Sequence, residues 1–136
     1  MGINRITAGV QVRKDFGKCF DFYTKKLGLI PVYGDRTGPY TSFASSEGEE
    51  PFFAIYEAKD SSERVKEYII PSSTESSDTL TAVFHTTDFD KDYNRLLELG
   101  VQFIGKEKLV GNDYEFSVAY FRDTEGNLLS LEDGGV

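Results

Sequence analysis

Residues 3–12 alternate, with Ile6, Ala8, Val10 and Val12 on one side and Thr7, Gly9 and Gln11 on the other. A period of two predicts a half-buried strand. The period then lengthens. Phe16, Phe20, Tyr23 and Leu27 recur at helical spacing, behind an aspartate (Asp15) and ahead of a glycine (Gly28). Aspartate accepts from the free N–H groups of a first turn, and glycine takes the left-handed conformation where a helix stops. The spacing predicts one amphipathic helix over 15–28. Strands are predicted at 29–33, 40–45 and 52–57, divided by the turn-rich stretches 34–39 and 46–51. The order is βαβββ.

The same order returns. Residues 80–87 alternate, with Ala82, Phe84 and Thr86 opposite Thr81, Val83 and His85. Asp88 then opens a second amphipathic stretch carrying Phe89, Tyr93, Leu96 and Leu97, and Gly100 closes it. Asp15 corresponds to Asp88, Phe16 to Phe89, Lys18 to Lys91, Phe20 to Tyr93, and Leu27-Gly28 to Leu99-Gly100; the second copy is one residue shorter. Strands are predicted at 101–109, 114–122 and 128–132, with turns at 111–113 and 124–127. The pattern makes two modules of one kind, spanning 1–58 and 79–136. Between them, 59–78 ends in a polar, small-residue connector and has room for a short helix at 61–68.

Charge and composition narrow the functional classes. Hydrophobic residues make up 39% and charged residues 28% of the 136, which excludes wholesale disorder and a membrane-spanning chain. A net charge of −8 without a basic stripe argues against nucleic acid. It suits attraction of a cationic ligand into an acid-flanked site. The N-terminus shows no signal-peptide pattern, and the one cysteine, Cys19, is read as a buried helix residue, so a cytoplasmic location is expected.

Parity along the strands selects candidate binding residues. If Phe53 and Ile55 pack on the first helix, Phe52 and Tyr56 face the other way, as does Gln11. If Phe84, Phe121, Leu129 and Leu131 pack inward, Thr81, His85, Phe116, Val118, Tyr120, Ser130 and Glu132 share the opposite face. Aromatic walls with a few polar groups are the composition of a small-molecule pocket. The ligand-binding set is therefore Gln11, Phe52, Tyr56, His85, Phe116, Tyr120 and Glu132, with no catalytic residue assigned.

The stretch from Asp15 through Phe22-Tyr23 to Gly28, that from Asp88 to Val101, and Phe-Arg-Asp-Thr-Glu-Gly-Asn at 121–127 followed by Leu-Leu-Ser-Leu-Glu resemble the vicinal oxygen chelate superfamily. That superfamily includes glyoxalase I, bleomycin resistance proteins and extradiol dioxygenases. Thr124 stands where its signature has proline. The resemblance implies an α+β fold: two βαβββ modules forming an incomplete, cupped mixed β-barrel with helices outside. It also implies a homodimer and a divalent metal in the cup, with ligands falling near Thr7 or Ala8, at Ala54, near Thr81 and at Ser130. None of these side chains suits such an ion, which wants imidazole, thiolate or carboxylate.

The expectation is thus a protein with no metal or other cofactor, binding a small organic and cationic ligand such as an antibiotic. One alternative is a glyoxalase-like lyase or isomerase, or a dioxygenase-type enzyme, with a divalent metal relocated to His85 and Glu132. Another is a non-catalytic interaction module whose cup is filled by its own side chains.

Overall fold

In the computed structural model, which describes residues 2–3, 5–58 and 79–134, strand β1 covers Ala8–Val12 and does not begin at residue 3. The reason is its partner. β1 pairs in parallel with β4 (Phe53–Glu57) from Ala8↔Phe53 onward, so residues before Ala8 have no strand beside them. Ile6, expected on the buried side of this strand, is 86% exposed.

The first helix also departs from expectation. Asp15 caps it as predicted, its carboxylate accepting from the Lys18 N–H at 3.0 Å. The regular helix α1 covers only Phe16–Asp21, and a wider π-turn succeeds it over Phe22–Lys26. Leu27 N–H donates to Phe22 O, five residues back, at 3.2 Å. Glycine ends the segment in the left-handed region, with Gly28 at φ 77°.

The chain divides into two compact units, Met1–Glu75 and Ser76–Val136. In the first, β2 (Ile30–Gly34) and β3 (Tyr40–Ala44) complete a mixed sheet of order β1-β4-β3-β2. One face packs on α1 and the π-turn. Tyr23 is wholly buried there, with its ring 4.8 Å from Phe53 and 6.0 Å from Phe43. Cys19 is buried beside them, as its place in the helix implied.

The second unit repeats the plan. Strands β5 (Leu80–Thr86), β6 (Phe103–Val110), β7 (Glu115–Arg122) and β8 (Leu128–Asp133) form a sheet of order β5-β8-β7-β6. Helix α2 (Phe89–Glu98) is capped by Asp88, which accepts from Lys91 N–H at 3.3 Å. The buried Thr86 hydroxyl ties strand to helix, bonding Asp92 and accepting from the Asp88 N–H. The core lies between α2 and Ala82, Ala119, Phe121, Leu129 and Leu131, all buried. Alternation slips at Thr81, because Leu80 pairs with Leu128 and Ala82 with Leu129. Thr81 therefore does not continue the row of Val83 and His85.

The α+β class and the doubled βαβββ order hold, as two open four-stranded mixed sheets. The expected linker, 59–78, lies outside the described residues, as does its proposed short helix. Among the described residues no helix is long and apolar enough to cross a membrane.

Candidate functional site

Each sheet has a helix on one face, so its other face is where strand parity puts the candidate residues. In the second unit one register row reads His85, Glu132, Val118 and Glu107 across β5, β8, β7 and β6. The next reads Val83, Ser130, Tyr120 and Gly105. Phe116 shares this face by alternation and pairs with Leu109. The four residues predicted here from parity, His85, Phe116, Tyr120 and Glu132, therefore lie on one face.

The structure adds Glu107 to them. The Tyr120 hydroxyl donates to its carboxylate at 2.9 Å. That bond, some burial, and the negative charges of Glu107 and Glu132 push the Tyr120 phenol above its ordinary pKa. Two carboxylates thus flank one phenol. The neighbouring lysines point elsewhere, because alternation in β6 turns Lys106 and Lys108 to the helix side. Lys106 Nζ sits 4.4 Å from the Tyr93 ring centroid and 5.6 Å from that of Phe89. Arg122 lies on the carboxylate face but at the strand end, donating to Gly126 O at 2.8 Å. Glu107 and Glu132 thus share this face with neither lysine of β6 beside them.

The equivalent row in the first unit reads Gln11, Tyr56 and Tyr40 across β1, β4 and β3. Phe52 precedes β4 and is 40% exposed; Tyr56 is 42% exposed. The Tyr40 and Tyr56 rings meet edge-on, their centroids 5.0 Å apart. Burial, then Tyr40, raises the Tyr56 phenol. Arg13 donates to Gln11 Oε1 at 2.6 Å, orienting the amide. Gln11, Phe52 and Tyr56 are thus brought onto one face of their own unit. Tyr40 and Glu107 were missed; the signal was the same alternation, read one strand further out.

The places where the resemblance puts metal ligands can be tested for fit. Ala54 and Ser130 are wholly buried on the faces just described. The first offers a methyl group; the second offers a hydroxyl with no hydrogen-bond partner. Thr81 Oγ1 donates to Thr79 O, and Ala8 begins β1 with its N–H on Phe52 O. A methyl group and neutral hydroxyls do not fit a divalent ion that prefers nitrogen, thiolate or carboxylate. His85, Glu132 and Glu107 carry donors of a suitable type on the second of these faces, and His85 and Glu132 are register partners on neighbouring strands. Among the described residues no three His, Cys, Asp or Glu side chains group together.

A doubled βαβββ unit whose sheets each carry a helix on one face is the scaffold of a superfamily of small-molecule enzymes and binding proteins. The chain belongs to the Glyoxalase/Bleomycin resistance protein/Dioxygenase superfamily, whose model matches residues 2–131. It is similar to the uncharacterized protein YurT of Bacillus subtilis (strain 168), 29% identical over 120 residues that cover 87% of this chain and 90% of that one. Among solved structures it shares its fold with lactoylglutathione lyase from Agrobacterium tumefaciens. The TM-score is 0.67 at 16% identity, covering 97% of this chain and 96% of that one. It shares it also with TnmS3, an antibiotic binding protein from Streptomyces sp. CB03234, at TM-score 0.60 and 22% identity, covering 98% of each chain.

Proposed function

We propose that this protein binds a small organic cation without a metal, in the manner of an antibiotic-sequestering protein, and acts as a cytoplasmic homodimer. The observation that carries this reading is the Glu107–Tyr120–Glu132 cluster on the helix-free face of the second sheet. An ammonium or guanidinium group placed there meets two carboxylates, while Phe116 and Tyr120 offer ring faces. The unsuitable donors at Ala54 and Ser130 support the metal-free part. The shared fold with an antibiotic binding protein supports the ligand class. Binding and release then involve no covalent step.

The test is isothermal titration of chelator-treated protein with cationic glycopeptide and aminoglycoside antibiotics. Heat of binding that weakens in Glu132→Gln is expected. Silence at millimolar ligand, or binding that returns only when a divalent ion is restored, overturns the reading.

A second reading has one observation of its own, the pairing of His85 with Glu132 on adjacent strands. It makes the protein a lyase or isomerase with a relocated divalent ion, a chemistry consistent with its fold neighbour's name. Elemental analysis of protein purified without chelator separates the two. One tightly held ion per chain, lost in His85→Ala, favours the enzyme.

A further inference from the structure

The turn that joins β2 to β3 reaches back to the first helix. Arg36 donates to both oxygens of Asp21, from Nε at 3.4 Å and from Nη2 at 2.9 Å. Within the turn, Asp35 O accepts from the Gly38 N–H at 3.2 Å and from Thr41 Oγ1 at 2.9 Å. At its far end, Pro39 O accepts from the Glu57 N–H of β4 at 2.7 Å. Two glycines let the turn lie this close. A Cβ on Gly17 would stand 2.8 Å from the Arg36 guanidinium, and one on Gly38 would stand 3.3 Å from the Phe16 ring and from Glu57 Oε2. Gly17 and Asp21 are four residues apart on α1, one above the other, so the guanidinium lies along a groove between them.

The second unit shows that the fold does not require this contact. At the offset that matches Asp15 to Asp88, Gly17 falls on Asp90 and Asp21 on Asn94. Asp90 puts a side chain where Gly17 has none, and Asn94 has no charge to offer. There β6 runs for eight residues before its turn, where β2 runs for five. The turn-to-helix contact is thus an addition to the first unit. It rests on an ion pair whose side chains are 57% and 29% exposed, and such a pair is weak and screened by salt. What the turn holds lies at its far end. Pro39 leads straight into Tyr40, whose ring meets that of Tyr56 on the helix-free face. Gly38 abuts Phe16 and Glu57, which line a cavity of about 40 Å³ together with Val12, Arg13, Lys14 and Asp15.

We propose that residues 35–39 form a strap latched to the first helix by Arg36 on Asp21, which opens as ionic strength rises and in opening frees Tyr40 and the Glu57 end of β4. The latch is a charge pair, so salt releases it; a latch made of neutral hydrogen bonds would not respond in this way. Release gives up the ion pair and the Pro39–Glu57 hydrogen bond while helix and sheet stay folded, a local opening rather than unfolding. The strap belongs to the first unit alone and acts in the same way whatever the second sheet binds.

Amide hydrogen exchange and tyrosine ring resonances of the full chain, read by NMR, test it. Arg36→Gln is expected to speed exchange at Glu57, whose amide proton is held by Pro39 O, about three- to fivefold. The Phe52 amide, held by Phe43 O at the other end of the same strand pair, is expected to keep its rate. The Tyr40 ring resonances should shift in the same variant. Arg36→Lys should restore most of both effects, because it returns the charge. Salt at about 0.5 M should reproduce them in the native chain and add nothing in Arg36→Gln. Asp21→Asn combined with Arg36→Gln should do no more than Arg36→Gln alone, since the two remove one contact. An unchanged Glu57 rate in Arg36→Gln, an equal acceleration at Phe52, or a native chain indifferent to salt overturns the proposal.

Discussion

The Tyr120 hydroxyl donates to Glu107 at 2.9 Å across the β6–β7 pair, and the charge of Glu132 acts on the same hydroxyl. The bond fixes one oxygen of Glu107 and leaves the other, with Glu132, for a ligand. Removing a charge therefore costs more than removing the phenol oxygen. Glu132→Gln is expected to lower affinity for a cationic ligand about fivefold at low salt, the scale of a partly exposed ion pair. The loss should shrink as ionic strength rises, because salt screens such pairs. Tyr120→Phe is expected to change affinity about twofold. Titration calorimetry at two salt concentrations checks both.

The same contact sets a pH dependence. Hydrogen bonding to Glu107 first, then burial, then the carboxylate charges raise the Tyr120 phenol, so the folded state favours its neutral form. A raised pKa contributes stability that is fully present below the unfolded value, near 10, and is lost as pH rises through the folded value. Between roughly pH 6 and 9 this group leaves unfolding unaffected; above about 10 its contribution falls away. Tyr120→Phe should flatten that alkaline decline and remove one alkaline-shifted component of the phenolate absorbance titration, leaving that of Tyr56 in place. An unchanged titration in the variant would rule this contact out as the cause.

Strand parity was legible because each open face needs only a period of two. Phe52 against Phe53, or His85 against Phe84, could be sorted before any pairing was known. What alternation does not reveal is which strand lies beside which. Ile6 continues the pattern of Val10 and Val12, yet β4 begins at Phe53 and leaves it nothing to pack on. Glu107 was hidden differently: between Lys106 and Lys108 it reads as part of a solvated charge run. Only the register that sets it opposite Val118, one strand from Glu132, gives it a role.

Two glycines look alike in sequence and differ in what surrounds them. A Cβ on Gly34, whose φ is 77°, would stand 2.0 Å from the Tyr40 carbonyl oxygen, which is backbone and cannot swing away. At Gly17 it would meet the Arg36 guanidinium at 2.8 Å, the mobile end of a side chain that reaches Asp21 at 2.9 Å. Gly34→Ala should cost about 2 kcal/mol or more, from left-handed strain plus the clash. Gly17→Ala gains about 1 kcal/mol of helix propensity. Against that it risks an exposed ion pair worth at most about 1 kcal/mol. It should therefore fall within about 0.5 kcal/mol of the native chain. Urea unfolding of the two variants side by side decides.

The extra residue in the first copy of the repeat is absorbed by the π-turn. Between cap and closing glycine, the segment from Asp15 to Gly28 holds one residue more than that from Asp88 to Gly100. In the first, Leu27 N–H reaches five residues back to Phe22 O; at the equivalent place in the second, Leu99 N–H reaches the usual four to Arg95 O. Each residue added to a regular helix rotates the downstream chain by about 100°, which would carry Leu29 off the core. A wide turn takes up the residue and keeps both ends in place. Deleting Thr24 should therefore let the turn close into regular helix at the cost of little more than its hydroxyl bond to Phe20 O. A loss of about 1–2 kcal/mol is expected. Deleting the exposed Asn94 from α2 has no slack to draw on and rotates Leu96 relative to Phe89, both buried. That variant should lose its cooperative thermal transition by circular dichroism while the Thr24 deletion keeps one. Equal tolerance of the two deletions would show that the wide turn is not where the extra residue is stored.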